Sequence, residues 1–203
     1  MHLTGSLPTS RVAAMKRLPT TKEDILDSAQ ELIQTRGYNG FSFADISAIV
    51  GIRKASIHHH FPSKTDLAIE VIRRYKDTFN ISLQNIAAGK KTWIDKIRAY
   101  SKLYEHVLHE DKLCLCGMLA SDIETLPIEL KIEIQLFFSD NVAWLSKVLV
   151  SHFPTLSKKR LNHVSWQIIS SLQGGLMMAR MFDKREIFSS AAEELITSLE
   201  QIA

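Results

Sequence analysis

Gly37, Gly51 and Pro62 follow closely on one another, and each stands where an apolar stretch of helical spacing ends. No long helix can run through all three, so residues 20–62 are confined to a stack of short ones. The first carries Ile25, Leu26, Ala29, Leu32 and Ile33 on one stripe and stops at Gly37. The second opens at Ser42, a cap answered three residues later by Asp45. It turns Ala44, Ile46, Ile49 and Val50 inward and stops at Gly51. The third runs from Lys54 to His60, with Ala55, Ile57 and Phe61 as its packed side, and ends at Pro62. Phe43 to Val50 and Lys54 to His60, joined by a tight turn with glycine at the break, form a helix-turn-helix. Gly51 suits that turn because the backbone there takes a shape costly for a side chain.

The same punctuation continues along the chain. Thr21 with Asp24, and Ser63 with Asp66, repeat the cap-and-answer spacing at the starts of the first and fourth helices. The fourth continues through Leu67, Ile69, Val71, Ile72, Tyr75 and Phe79. Further helices are expected over Trp93–His109, 115–124, from Pro127 in a first turn to about 152, and 157–182. A last one is opened by Asp183 and Glu186. Alternating Val/Ile/Thr runs flanked by turn pairs are missing, so the expected fold class is all-α with about nine helices. Residues 1–19 read as a flexible basic tail with Arg11, Lys16 and Arg17, 20–66 as the helix-turn-helix domain, and 67–203 as a second helical domain.

At 203 residues and 45% apolar content the chain can bury a core, and 23% charged residues is an ordinary globular share. No apolar run approaches a membrane span, and the tail lacks the apolar centre of a secretory signal, so a cytoplasmic protein without membrane contact is expected. The two cysteines, Cys114 and Cys116, are too close for an ordinary structural disulfide and lack the second pair of a zinc site.

The net charge of +3 does not by itself point to nucleic acid, so the distribution must carry that argument. Residues 21–66 hold five Lys/Arg against six Asp/Glu. Between Gly51 and Lys64, however, Arg53, Lys54 and Lys64 stand with no acid among them. With Ile57 turned inward, Lys54, Ser56, His58 and His59 remain outside, and these side chains reach base edges and phosphates.

The stretch from Phe41 to Leu67, FSFADISAIVGIRKASIHHHFPSKTDL, resembles the DNA-binding domain of the TetR (tetracycline-repressor-like) regulators. The likeness covers about residues 20–67, and its most specific part is His60-Phe61-Pro62-Ser63-Lys64 just after the second helix of the motif. His58 stands where the family usually carries a phosphate-touching Tyr, and Arg53 where a small capping residue is common. The resemblance implies a homodimer on a palindromic double-stranded DNA operator and a helical second domain that binds a small effector. Lys54 to His60 would enter the major groove while Lys22, Arg53 and Lys64 hold phosphates, and two half-sites about 34–36 Å or a multiple apart would need a twin. An effector would move the helix over 64–79 and spoil the spacing, releasing a repressor from its site.

Leu172, Gly175, Leu176 and Ala179, with Leu195 and Leu199 on the last helix, offer a flat face for close helix approach and are read as the dimer surface, against a plainer reading as intrachain core. Tyr100, Tyr104, Met118, Phe137, Asn141, Trp144, Trp166, Gln173 and Met177 are candidates to line an apolar pocket with a few polar handles, which suits an apolar or aromatic effector. Cys114 and Cys116 open the short middle helix beside Lys112. A helix N-terminus and a cation both acidify a thiol, so a redox or electrophile sensor is the alternative, against buried inert thiols. His58, His59 and His60 point about 100° apart on a helix and do not converge on a metal. His106 and His109 with Glu105 and Glu110 read as exposed helix residues. No metal or cofactor is expected, and with no glycine-rich phosphate loop and no serine elbow, neither is an enzyme.

Overall fold

The computed structural model describes residues 21–89 and 91–201. The basic tail therefore lies outside the described residues. Nine helices and no strand are present among those described: α1 (Thr21–Arg36), α2 (Phe43–Val50), α3 (Lys54–His60), α4 (Lys64–Ala88), α5 (Trp93–His109), α6 (Leu115–Ser121), α7 (Ile128–Val150), α8 (Lys158–Phe182) and α9 (Arg185–Glu200).

Helix starts follow the caps. Ser42 and Asp45 form a reciprocal capping box on α2, as do Ser63 and Asp66 on α4. A third box, Thr92 with Asp95, opens α5. Each box satisfies amides that the first turn leaves without helical partners. Thr21 is itself the first residue of α1, not the cap before it. Pro127 stands before the first turn of α7, and that helix stops at Val150. α6 is shorter than expected, ending at Ser121 before a run of turn residues. Asp183 does not open α9 either. It closes α8 in the left-handed conformation (φ 52°), and Lys184 precedes α9 without a side-chain cap.

In the first three helices, Ile25, Leu26, Ala29, Leu32 and Ile33 of α1 close over Ile46, Ile57 and Phe61, all buried. An eight-residue helix wedged against two others has one inward row, so Ile46 alone of α2 is buried. Ala44 and Ile49 face out, Ile49 with 58% exposure, Val50 is half-buried, and Ala55 is outward on α3 for the same reason.

α4 runs without a break through position 67 for 25 residues, roughly 37 Å at 1.5 Å per residue. It lies against α1 on one side and α7 on the other. Arg74 of α4 reaches Glu23 and Asp27 of α1 at 3.3 and 2.8 Å, and Arg73 and Lys76 converge on the buried Glu133 of α7. Rings from α4, α5 and α7 form an aromatic core: the Phe79 ring lies 5.2 Å from Phe137, 6.1 Å from Tyr100 and 6.3 Å from Tyr104.

α1 and the turn after it are also fastened to the far part of the molecule. Gln34 Nε2 donates to the Leu113 carbonyl at 2.9 Å while Leu113 N–H returns to the Gln34 carbonyl. Tyr38 N–H donates to Asp122 Oδ2 at 2.8 Å, and Asn39 Nδ2 donates to Thr125 Oγ1 at 2.7 Å.

Candidate nucleic-acid interface

The surface is built outward from Ile57. That side chain is fully buried and is the only buried residue of α3, so it pins the helix to α1 and α2 along one line. Helical geometry then leaves the remaining positions outside: Lys54, Ser56, His58, His59 and His60 are all exposed. Gly51 sets the angle between α2 and α3. It takes φ 76°, closes α2 by donating to the Ser47 carbonyl at 3.0 Å, and has open space where a Cβ would stand. Its requirement is therefore backbone conformation and not room.

Arg53 precedes α3 in an extended conformation and makes no capping hydrogen bond, so its guanidinium is exposed in front of the helix. His58 leans on the Phe43 ring, 4.8 Å between centroids, with Nδ1 3.3 Å from the Pro62 carbonyl oxygen. His59 and His60 meet edge to face at 5.5 Å and point onward from the surface. Arg53, Lys54, Ser56 and His59 thus form one exposed, acid-free edge.

The two other cations expected at phosphates are engaged within the chain. Lys64 is folded inward: its ammonium donates to the Phe41 carbonyl and lies 4.2 and 4.5 Å from the Phe41 and Tyr38 ring centres. Burial lowers its affinity for a proton, and Asp45 and Asp122 work against that shift. Lys22 pairs with Glu70 of α4 and approaches the Phe61 ring at 5.7 Å. Both lysines hold the domain together in this structure.

The candidates for an effector pocket separate into two groups. Tyr100, Tyr104, Phe137 and Asn141 are buried together. Tyr100 Oη donates to Asn141 Oδ1 at 2.9 Å and lies 3.1 Å from Tyr104 Oη, and Asn141 Nδ2 donates to the Phe137 carbonyl. Burial pushes both phenols up from their ordinary range. Trp144 stacks on Tyr100 at 5.6 Å. Met118 and Gln173 are half-buried, and Gln173 lies so close to Gly117 that a Cβ there would fall 2.5 Å from its Oε1. Gln173 Nε2 is buried with no hydrogen-bond partner. Trp166 and Met177 do not join them. The inward row of α8 is Leu161, Val164, Ser165, Ile168, Ile169, Leu172, Gly175, Leu176 and Ala179, and a step of about 100° per residue carries Trp166 and Met177 to the outer face, 45% and 48% exposed.

The expected dimer face is corrected in the same way. Leu172, Gly175, Leu176, Ala179, Leu195 and Leu199 are all buried within the single chain, where α8 packs on α9, α7 and α5. A Cβ at Gly175 would stand 3.3 Å from Ala191 Cβ and 3.5 Å from the Phe188 ring, so the small residues bring α9 close onto α8. The apolar side chains left outside on α8 are Trp166, Met177, Met178, Met181 and Phe182, which sequence periodicity could not distinguish from the inner row because both rows are apolar.

Cys114 and Cys116 are both buried. Burial pushes the Cys116 thiol well above the usual thiol range, with Cys114 beside it adding to the shift, and Tyr75 Oη donates to Cys114 Sγ at 3.8 Å. A sensing thiol needs access and an ionised sulfur, so this environment disfavours the sensor reading. His106 pairs with Glu110, and His109 faces Arg185. Among the described residues no three His, Cys, Asp or Glu side chains gather where they could hold a metal, and no helix is long and apolar enough to cross a membrane.

Comparison with known proteins agrees with this geometry. Residues 25–71 match the family model of bacterial regulatory proteins of the tetR family. A TetR transcriptional regulator from Legionella pneumophila is 34% identical and superposes with a TM-score of 0.85 over 90% of this chain and 98% of that one. A TetR-family regulator from Agrobacterium tumefaciens is 30% identical, with a TM-score of 0.82 over 88% and 96%. An HTH-type transcriptional regulator from the lacX 3' region of Lactococcus lactis subsp. lactis is 26% identical over 196 residues, 91% of this chain and 96% of that one. The biofilm operon icaADBC negative regulator IcaR of Staphylococcus aureus is 36% identical over 59 residues, 29% of this chain and 32% of its own length. Matched over nearly its whole length at this identity, with the helix-turn-helix in the expected place, the chain belongs to the TetR family of transcriptional regulators.

Proposed function

We propose that this regulator is a repressor that binds a palindromic operator as a homodimer in the cytoplasm and is released by a small-molecule effector. One observation carries the DNA-reading part: α3 is held by Ile57 alone and turns Lys54, Ser56, His58 and His59 to solvent beside Arg53, with no acid between Gly51 and Lys64. Lys54 and His59 are assigned to base edges and Arg53 to phosphate. His58 donates to phosphate when its ring leaves the Pro62 carbonyl. Lys22 and Lys64 reach phosphate only by giving up Glu70 and Phe41. The IcaR likeness supports a negative mode of action.

The dimer is assigned to the C-terminal end of the outer face of α8, beyond the turn that carries Trp166, where Met177, Met178, Met181 and Phe182 form an apolar patch unusual for a solitary surface. The effector is assigned to the interior around Tyr100, Tyr104, Phe137, Asn141 and Met118. A buried amide nitrogen without an acceptor, as at Gln173, invites a ligand or water oxygen to complete it. The ligand is therefore apolar or aromatic with one hydrogen-bond acceptor. It would act through α4, which touches both the aromatic core and α1, and needs a difference in affinity of about 1–3 kcal/mol between the two states.

The deciding experiment is an electrophoretic mobility shift with the DNA upstream of the protein's own gene. The native chain should shift one band competed by the same unlabelled DNA. A Lys54→Ala, His59→Ala variant of unchanged melting temperature should lose at least tenfold in affinity. Equal binding by the variant, or equal competition by unrelated DNA, overturns the reading.

A further inference from the structure

A groove of about 690 Å³ lies between the second half of α7 and the first half of α8, on the outside of the molecule and away from the aromatic core. Its apolar walls include Val142, Val150, Leu156 and the half-exposed indole of Trp166. Its floor is polar in a particular way. Ser146 Oγ donates to Asn162 Oδ1 at 3.0 Å and lies 3.1 Å from Ser165 Oγ, and Asn162 Nδ2 has no intrachain partner among the described residues. Lys147 and Lys158, both exposed, stand on the lining and take part in no ion pair among the described residues.

The charge around the groove is one-sided. From Asn141 to Phe182 the chain carries Lys147, Lys158, Lys159, Arg160 and Arg180 and not one Asp or Glu. The nearest acid along α7, Asp140, lines an adjoining depression with Asn80, Gln84 and Lys147 itself, but Lys147 and Asp140 form no ion pair among the described residues. An apolar trough with two unpaired ammonium groups and an amide donor fits a molecule with an apolar body and one anionic head. Burial of the body supplies affinity, and the lysines select the sign of the head.

We propose that this groove is a second ligand site, distinct from the interior effector site, and that it binds amphipathic carboxylates such as a medium-chain fatty acid. The carboxylate sits between Lys147 and Lys158 and accepts from Asn162 Nδ2, and the chain lies along Val150, Leu156 and Trp166.

The test uses the full chain and dodecanoate below its micellar concentration, with binding read by calorimetry and by tryptophan fluorescence. Dodecanol and dodecyltrimethylammonium serve as neutral and cationic counterparts of the same tail. Dodecanoate should bind at least tenfold more tightly than either. A Lys147→Glu, Lys158→Glu variant should lose at least tenfold for dodecanoate and leave dodecanol unchanged. Ala143→Phe, an exposed position on the lining, should block both. Equal affinity for the three amphiphiles overturns the proposal, as does undiminished binding by the double variant. Binding that appears only on dilution to monomer also overturns it, because a second copy then covers the groove. Operator binding of the Lys147→Glu, Lys158→Glu variant without amphiphile should equal that of the native chain, so failure here leaves the DNA-reading proposal standing.

Discussion

Gly51 has nothing within 4 Å of the place a Cβ would occupy, yet its φ of 76° belongs to the left-handed region. A Gly51→Ala variant therefore isolates backbone strain from crowding. It should lower unfolding free energy by about 1–2 kcal/mol in urea titrations without altering the aromatic core. Lys54 and Lys64 make a second comparison. Lys54 is exposed, so Lys54→Ala should reduce the slope of log affinity against log salt by about one unit. Lys64 holds the Phe41 carbonyl between two rings. Lys64→Met should lower the melting temperature and change the salt slope less than Lys54→Ala does. A slope change equal to that of Lys54→Ala would show the ammonium swinging out to phosphate. The sequence marked all of these residues but not their neighbours. Lys54 could be read as outward because Ile57 marks the inward side of α3, although Ala55, expected on that side, is exposed, whereas the fate of Lys64 depended on rings twenty-odd residues earlier that only the fold brings near.

Helix starts were the most legible elements because their chemistry is local: Ser42 with Asp45 and Ser63 with Asp66 form boxes where the spacing placed them. Hydrogen bonds from the Ser42 side chain and amide hold the Asp45 carboxyl below its ordinary range, and Thr92 does the same for Asp95. A carboxylate favoured in this way lends stability that is complete above the unfolded-state value and fades as the pH falls through the lower folded one, that is, from about pH 4 downward. Asp45→Asn should flatten the acid limb of the melting curve there and leave it parallel to the native curve at neutral pH. Inner and outer rows were less legible where both are apolar. On α8 the residues expected to meet a twin are instead packed inside the chain, and the outward methionines and Phe182, interleaved with them in sequence, fall on the other side of the wheel. Cys114 and Cys116 read as a helix N-terminus near a cation, but burial overrides both effects. Iodoacetamide should modify neither at a measurable rate until urea opens the core, with mass spectrometry as the readout.

For the whole molecule, the apolar patch at the end of α8 is the surface proposed to meet a second copy. Met181 and Phe182 are 78% and 62% exposed in the single chain. If a second copy covers them, each anchor is worth at least about 1 kcal/mol, so Met181→Glu with Phe182→Glu should raise the dimer dissociation constant more than tenfold by sedimentation. Operator affinity should fall with it, while the monomer stays folded because neither side chain supports the core. The all-α class and the nine helices of the described residues were readable from periodicity and punctuation alone. The way the DNA-reading head meets the rest was not, since Gln34 to Leu113, Tyr38 to Asp122 and Asn39 to Thr125 join positions some eighty residues apart. Those three stitches mean that the head is no detachable module. Cut free after residue 66, it would face water with a bare Tyr38 amide and an orphaned Gln34, so heat should melt the intact chain in one step and the excised fragment well below it.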